Sequence, residues 1–204
     1  MEKPTSLIPR FSFRLFSLLA FTAASLLFAA SAPDAATYGW LFLYSDAGHT
    51  DCTLVDNTPR FVDVYVVHKI DNIGDVGGDA YLLAFRLSAS VGFTGTWIQE
   101  VVPAGITKVG TSPAGIAMGY NACRTGDVEV LRVTYQLFGT SSPCSSLQAT
   151  AYPGYDFIYT QDCSFTDRAV AGRALVVNQD ASCPCQIPVA AEPTTWGHVK
   201  ALYR

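Results

Sequence analysis

Charge is scarce in this sequence. Asp, Glu, Lys and Arg make up 15% of 204 residues, with 13 basic and 17 acidic side chains, against the ~25% usual for soluble domains. The missing basic excess removes the means of displacing counterions from phosphate, so nucleic acid is not an expected partner. Half of the residues are apolar, and such a chain is not intrinsically disordered. Histidine is nearly absent, with three in the chain, His49, His68 and His198. Phosphate-binding loops and dinucleotide fingerprints are absent as well. So are internal repeats and, between residues 38 and 190, any stretch with helical periodicity. GTSPAG at 110–115 is not the Gly-x-Ser-x-Gly elbow of a hydrolase.

What is present begins with a targeting signal. Lys3, Arg10 and Arg14 precede an uncharged run from Leu15 to Pro33 that ends in small residues. A basic start, an apolar middle and a small-residue end describe a secretory signal peptide over 1–31, cleaved after Ser31. The apolar run is shorter than the ~20 residues of a spanning helix, and no later stretch approaches that length. The mature chain would then not span a membrane. It would carry 10 basic and 16 acidic residues, a net charge of −6. The expected location is outside the cytoplasm: extracellular, at the cell surface or in the periplasm.

The cysteines agree with export. Cys52, Cys123, Cys144, Cys163, Cys183 and Cys185 all follow the leader, and an even set in an exported chain reads as a disulfide framework. Bridging Cys183 to Cys185 across one proline would need a strained ring, so each should reach back to an earlier segment. Cys52 is the first candidate partner for one of them. The spacing fits no zinc site, which would need two close pairs.

Period-two alternation recurs along the mature chain. In 61–70, Val62, Val64 and Val66 share a face; in 80–88, Tyr81, Leu83, Phe85 and Leu87 do. In 128–138, Leu131, Val133, Tyr135 and Leu137 share one with Glu129, opposite Arg132, Thr134 and Gln136. With 38–44, 97–102, 106–109, 115–120, 147–151, 157–160 and 174–177 this makes ten candidate segments, read as about nine strands separated by Gly- and Pro-rich turns. The pattern predicts one all-β antiparallel sandwich over 37–188, followed by a tail, 189–204. In the tail Trp196, Val199, Leu202 and Tyr203 would share one side of a short helix.

Chemistry-bearing candidates are few. Tyr152 and Tyr155 flank Pro153-Gly154 in a turn, and with Trp97 they are the rings most suited to contacting a ligand such as a sugar face. The loop from 71 to 79 offers Asp71, Asp75 and Asp79 as oxygen ligands, and Ca²⁺ is the cation it would take. Asp46, His49 and Asp51 are a second candidate metal cluster. Glu100 and Glu129 are the only glutamates of the domain, and spacing does not say whether they meet across a cleft, as glycoside hydrolysis would require.

The succession AYLLAFRLSAS, TGTWIQEVVPAG, GIAMGY, GDVEVLRVTYQLFG and AVAGRALVVN resembles secreted cohesin-like and carbohydrate-binding-module-like sandwiches over about 60–180. The resemblance implies a jelly-roll-like sandwich acting by binding or assembly and no catalytic residue; the six cysteines depart from it. The tail resembles the short sorting tails of exported bacterial proteins. The expectation is therefore an exported, non-enzymatic module whose partner is a surface protein or a polysaccharide, with sorting machinery as a partner of the tail. A carbohydrate-binding module is the narrower alternative; a small secreted hydrolase or metal-dependent enzyme is the rival. Thiol titration of the secreted protein, unfolded but unreduced, is expected to find no reactive cysteine; six reactive thiols would contradict the framework.

Overall fold

A computed structural model describes residues 38–70 and 78–185; the leader, the tail, Asp71 and Asp75 lie outside the described residues. Described residues form strands and turns only: β1 (Trp40–Tyr44), β2 (Thr53–Leu54), β3 (Pro59–Lys69), β4 (Ala80–Ala89), β5 (Thr96–Val101), β6 (Ile106–Thr111), β7 (Gly115–Arg124), β8 (Asp127–Phe138), β9 (Ser145–Thr150), β10 (Ile158–Gln161), β11 (Asp167–Gly172) and β12 (Ala174–Val177). Sequence periodicity marks ten of these twelve segments, counted there as about nine strands. The additions, β2 and β11, escaped because one is two residues long and the other, DRAVAG, has no apolar alternation.

One layer is β1-β3-β8-β5, antiparallel throughout. The other has β6-β7-β4, with β9 and β10 sharing the far edge of β4. β12 pairs with β9 and with β2. β11 pairs with both β10 and β1, so hydrogen bonding continues from one layer to the other along that side. Two pairings are parallel, β1 with β11 and β2 with β12.

The core lies between the layers. Leu41, Leu43, Val64, Val66, Leu131, Val133 and Leu137 face Leu83, Phe85, Ile116, Met118, Leu147 and Leu175, all buried. Each fully buried aliphatic side chain contributes about 1.5–3 kcal/mol by leaving water. Phe42, Tyr44 and Val67 form a second cluster on the opposite face of β1 and β3, with Trp40 and Tyr65 against it.

Two departures from the expected alternation have a backbone cause. Val66 pairs with Leu131 but Val67 pairs with Glu129, leaving Val130 as an extra residue in β8. This bulge turns both Val130 and Leu131 into the core and sends Glu129 to the outer face, not to the Leu131 face. In β4 the pairing jumps from Leu82–Gly119 to Ala80–Arg124. Tyr81 thereby leaves the core row, stands 40% exposed and meets Phe165 edge-on.

Three disulfides staple the fold: Cys52–Cys185, Cys123–Cys163 and Cys144–Cys183, with Cα separations of 5.8, 5.7 and 5.7 Å. Both thiols of Cys-Pro-Cys reach back, one of them to Cys52. Each bridge typically contributes about 2–4 kcal/mol.

His68 is fully buried on β3, its Nδ1 2.9 Å from the Tyr120 hydroxyl of β7, so one hydrogen bond crosses the interior between layers. Its Nε2 has no partner among the described residues. Burial disfavours the charged imidazole and pushes its pKa down to about 3. The folded protein keeps His68 neutral while the unfolded chain binds a proton below about pH 6.5. Stability is therefore expected to fall on acidification from pH 6.5 towards 5, by up to about 1.4 kcal/mol per pH unit. Asp46, Asp56 and Glu100, whose pKa values are lowered, add their loss only nearer pH 4. Urea unfolding of wild type and His68→Gln across this window checks the point; a wild type with no slope there contradicts it.

Candidate functional site

Register along one edge of β4 builds the first candidate site. Thr150 of β9 lies opposite Arg86, and Tyr159 of β10 lies opposite Ala84. β9 and β10 are thus nearly one strand, and 151–157 is extruded between them as a loop. Gly115, at φ +119°, seats this loop: a Cβ there would stand 2.7 Å from Pro153. The loop brings Tyr152 and Tyr155 together, ring centroids 6.0 Å apart. Sequence reasoning missed the rest of the cluster. Phe157 and Tyr159 lie 6.2 and 5.1 Å from Tyr155; the sequence marks 157–160 as a strand and does not join its rings to the turn. Tyr155 and Phe157 are 47% and 39% exposed. Tyr159 donates to Asp167 Oδ1 at 2.7 Å; burial first, then this bond, pushes its pKa up to about 12. Trp97 does not join them. It lies on β5 opposite Tyr135 and packs against the core.

The metal candidates are otherwise engaged. Asp46 accepts from the backbone N–H of Gly48, Thr50 and Asp51 and from the Thr50 hydroxyl. Slight burial opposes its charge, but these bonds hold the carboxyl below its ordinary range. Asp51 accepts from Thr53. The expected cluster of Asp46, His49 and Asp51 is therefore a loop-closing network, with His49 turned elsewhere. Asp79 accepts from the Cys163 amide at 3.0 Å. Among the described residues, the two groups of three close donors, Asp79 with Cys123 and Cys163 and Asp180 with Cys144 and Cys183, each contain a disulfide's own sulfurs.

The glutamates part company. Glu100 pairs with the core residue Val133 and points inward, its side chain 2% exposed, 2.5 Å from Lys108 Nζ. Lys108, opposite Met118, reaches it from the other layer. Burial raises the Glu100 pKa, but hydrogen bonds from Lys108 and the Ser112 amide outweigh it and leave the carboxyl lowered. Glu129, on the outer face, lies 3.1 Å from His49 Nε2.

That outer face holds a second candidate site. Ala47, Tyr65, Val101, Pro103, Glu129 and Arg132 line a cleft of about 350 Å³. Tyr65 and Arg132 are cross-strand partners, as are Val101 and Arg132. His49, at φ +55°, meets the Tyr65 ring edge-on at 5.9 Å. Only the β8 bulge puts Glu129 in this company, and nothing in the residue pattern announced it.

No family model and no curated protein matches the chain. The fold is similar to the cohesin module of a family 33 glycoside hydrolase from Clostridium perfringens ATCC13124, at TM-score 0.50 and 9% identity, over 71% of this chain and 99% of that one. A non-cellulosomal cohesin from Archaeoglobus fulgidus aligns at TM-score 0.42 and 12% identity, over 69% and 91%. The sixth cohesin of scaffoldin B from Acetivibrio cellulolyticus, solved in complex with a Cel5 dockerin, aligns at 0.45 and 13%, over 71% and 100%. The first of these carries the statement that the chain has a cohesin-like β-sandwich fold.

Glu100→Ala is expected to cost about 1–3 kcal/mol, since it strands Lys108 and the Ser112 amide at the layer edge. Glu129→Ala, which breaks a part-exposed pair, is expected to cost less than about 1 kcal/mol. Urea denaturation of both variants tests the ranking, and the reverse order contradicts it.

Proposed function

We propose that the chain is an exported, non-enzymatic module that binds a protein partner through the aromatic loop 151–157 and its neighbour Tyr159. The observation that carries the reading is four rings in continuous contact, two of them substantially exposed, three on the loop extruded between β9 and β10 and the fourth, Tyr159, at the start of β10. Exposed, mutually packed aromatics are the side chains that dominate protein interfaces, because they bury large area at small entropic cost. The leader and the disulfide set support export. The dockerin in the Acetivibrio complex is a precedent on this fold for a protein partner, and fold alone does not transfer it.

Ring orientation favours protein over polysaccharide. Tyr155 makes interplanar angles of 65°, 72° and 39° with Tyr152, Phe157 and Tyr159. A flat glycan surface needs coplanar ring faces; these rings make a ridge that a pocket would enclose.

The test immobilises the mature protein and passes over it fractionated surface proteins of the source cell, then soluble xylan, β-glucan and chitin oligomers. Binding of a defined protein, weakened at least about tenfold by the Tyr155→Ala/Phe157→Ala double variant, is the expected result. Retention of a polysaccharide that the same variant abolishes would replace the reading with a carbohydrate-binding module.

A further inference from the structure

The cleft on the outer face of β3 and β8 belongs to neither the core nor the aromatic loop. Its chemistry is mixed in a particular way. Tyr65 supplies an aromatic wall, and Val101 and Pro103 supply apolar ones. Glu129 Oε2 is held by His49, while its other oxygen makes no hydrogen bond among the described residues. Arg132 is exposed and makes no side-chain hydrogen bond or ion pair among the described residues; its guanidinium retains five donors. The carboxylate and the guanidinium oppose each other in sign, so the cleft offers little net field to a charged ligand. It offers an acceptor and a planar donor fork next to a ring. The volume, about 350 Å³, lies at the small end of the ~300–1,000 Å³ range of small-molecule sites.

We infer that this cleft binds a neutral, cyclic, polyhydroxylated ligand, one or two sugar rings in size. Adjacent hydroxyls bridge Glu129 and Arg132, donating to the first and accepting from the second, and the C–H face of the ring lies on Tyr65. His49 acts as a positioning residue that fixes the Glu129 rotamer. The site rests on different residues from the aromatic loop and lies on the other layer of the sandwich. One molecule can thus hold a protein partner on one layer and a glycan end on the other.

The probes are D-glucose, D-galactose, D-mannose and N-acetyl-D-glucosamine, titrated into the disulfide-intact protein and followed by backbone amide NMR. Sorbitol and D-glucuronate serve as acyclic and charged comparisons. At least one neutral ring sugar is expected to saturate with a Kd on the order of 1 mM, moving the amides of Tyr65, Glu129 and Arg132. Arg132→Met and Glu129→Gln are each expected to weaken it at least about tenfold, and Tyr155→Ala to leave it unchanged. Arg132 is exposed and its variant retains the fold, which a thermal melt verifies. Three outcomes overturn the inference: no neutral sugar moves these amides at about fifty times the expected Kd; sorbitol or glucuronate binds at least as tightly as the best sugar; or binding survives both cleft variants.

Discussion

In a pleated strand each side chain has two faces to choose from, and its neighbours have already chosen. Once Leu131, Val133, Tyr135 and Leu137 enter the core, every other position of β8 is committed by parity. Val130 breaks that commitment by taking one extra place in the ladder. From there to the start of the strand the faces are exchanged, and a carboxylate that parity would have buried stands beside an imidazole. The aromatic loop has the same origin on a larger scale. β9 and β10 follow one edge of β4 almost without a gap in the ladder, so the residues between them have nowhere to go but outward. Both candidate sites are interruptions of an otherwise regular sheet.

Two polar pairs inside the sandwich join its layers. His68 and Tyr120 meet across its middle, and Glu100 and Lys108 meet across one open side. The second pair also bears on solubility. β5 and β6 each pair with a single neighbour, and edge strands invite pairing with another chain. Charges turned inward along such edges oppose that pairing. β5 also carries a register shift between Trp97 and Gln99, which further spoils it as a template.

Much of this was legible from residue order. Alternation located most of the strands and the rows Val62–Val66 and Leu131–Leu137, and the reach of Cys183 and Cys185 back along the chain followed from the single proline between them. The pairing of Tyr152 with Tyr155 was readable because Pro-Gly between them makes a turn. What stayed hidden depends on register. Tyr81 matches the alternation of Leu83 and Phe85 and still leaves the core, because β7 shifts against β4 just there. Phe157 and Tyr159 read as part of a separate strand because nothing local says that β10 resumes where β9 stops. The meeting of His49 with Glu129 spans 80 residues and hangs on one inserted valine.

The Cys52–Cys185 bridge has a mechanical meaning. It joins the last described residue to the connection between β1 and β2, bypassing 133 residues of sequence. Tension applied to the polypeptide beyond Cys185 passes through sulfur to Cys52 and does not run along β12, β9 or β8. Strands that would otherwise peel away in sequence from the C-terminal side are outside the load path. Were that link reduced, the Cys144–Cys183 bridge two residues upstream would take the load next and hand it to the start of β9, so β12 and the aromatic loop would still lie off the path.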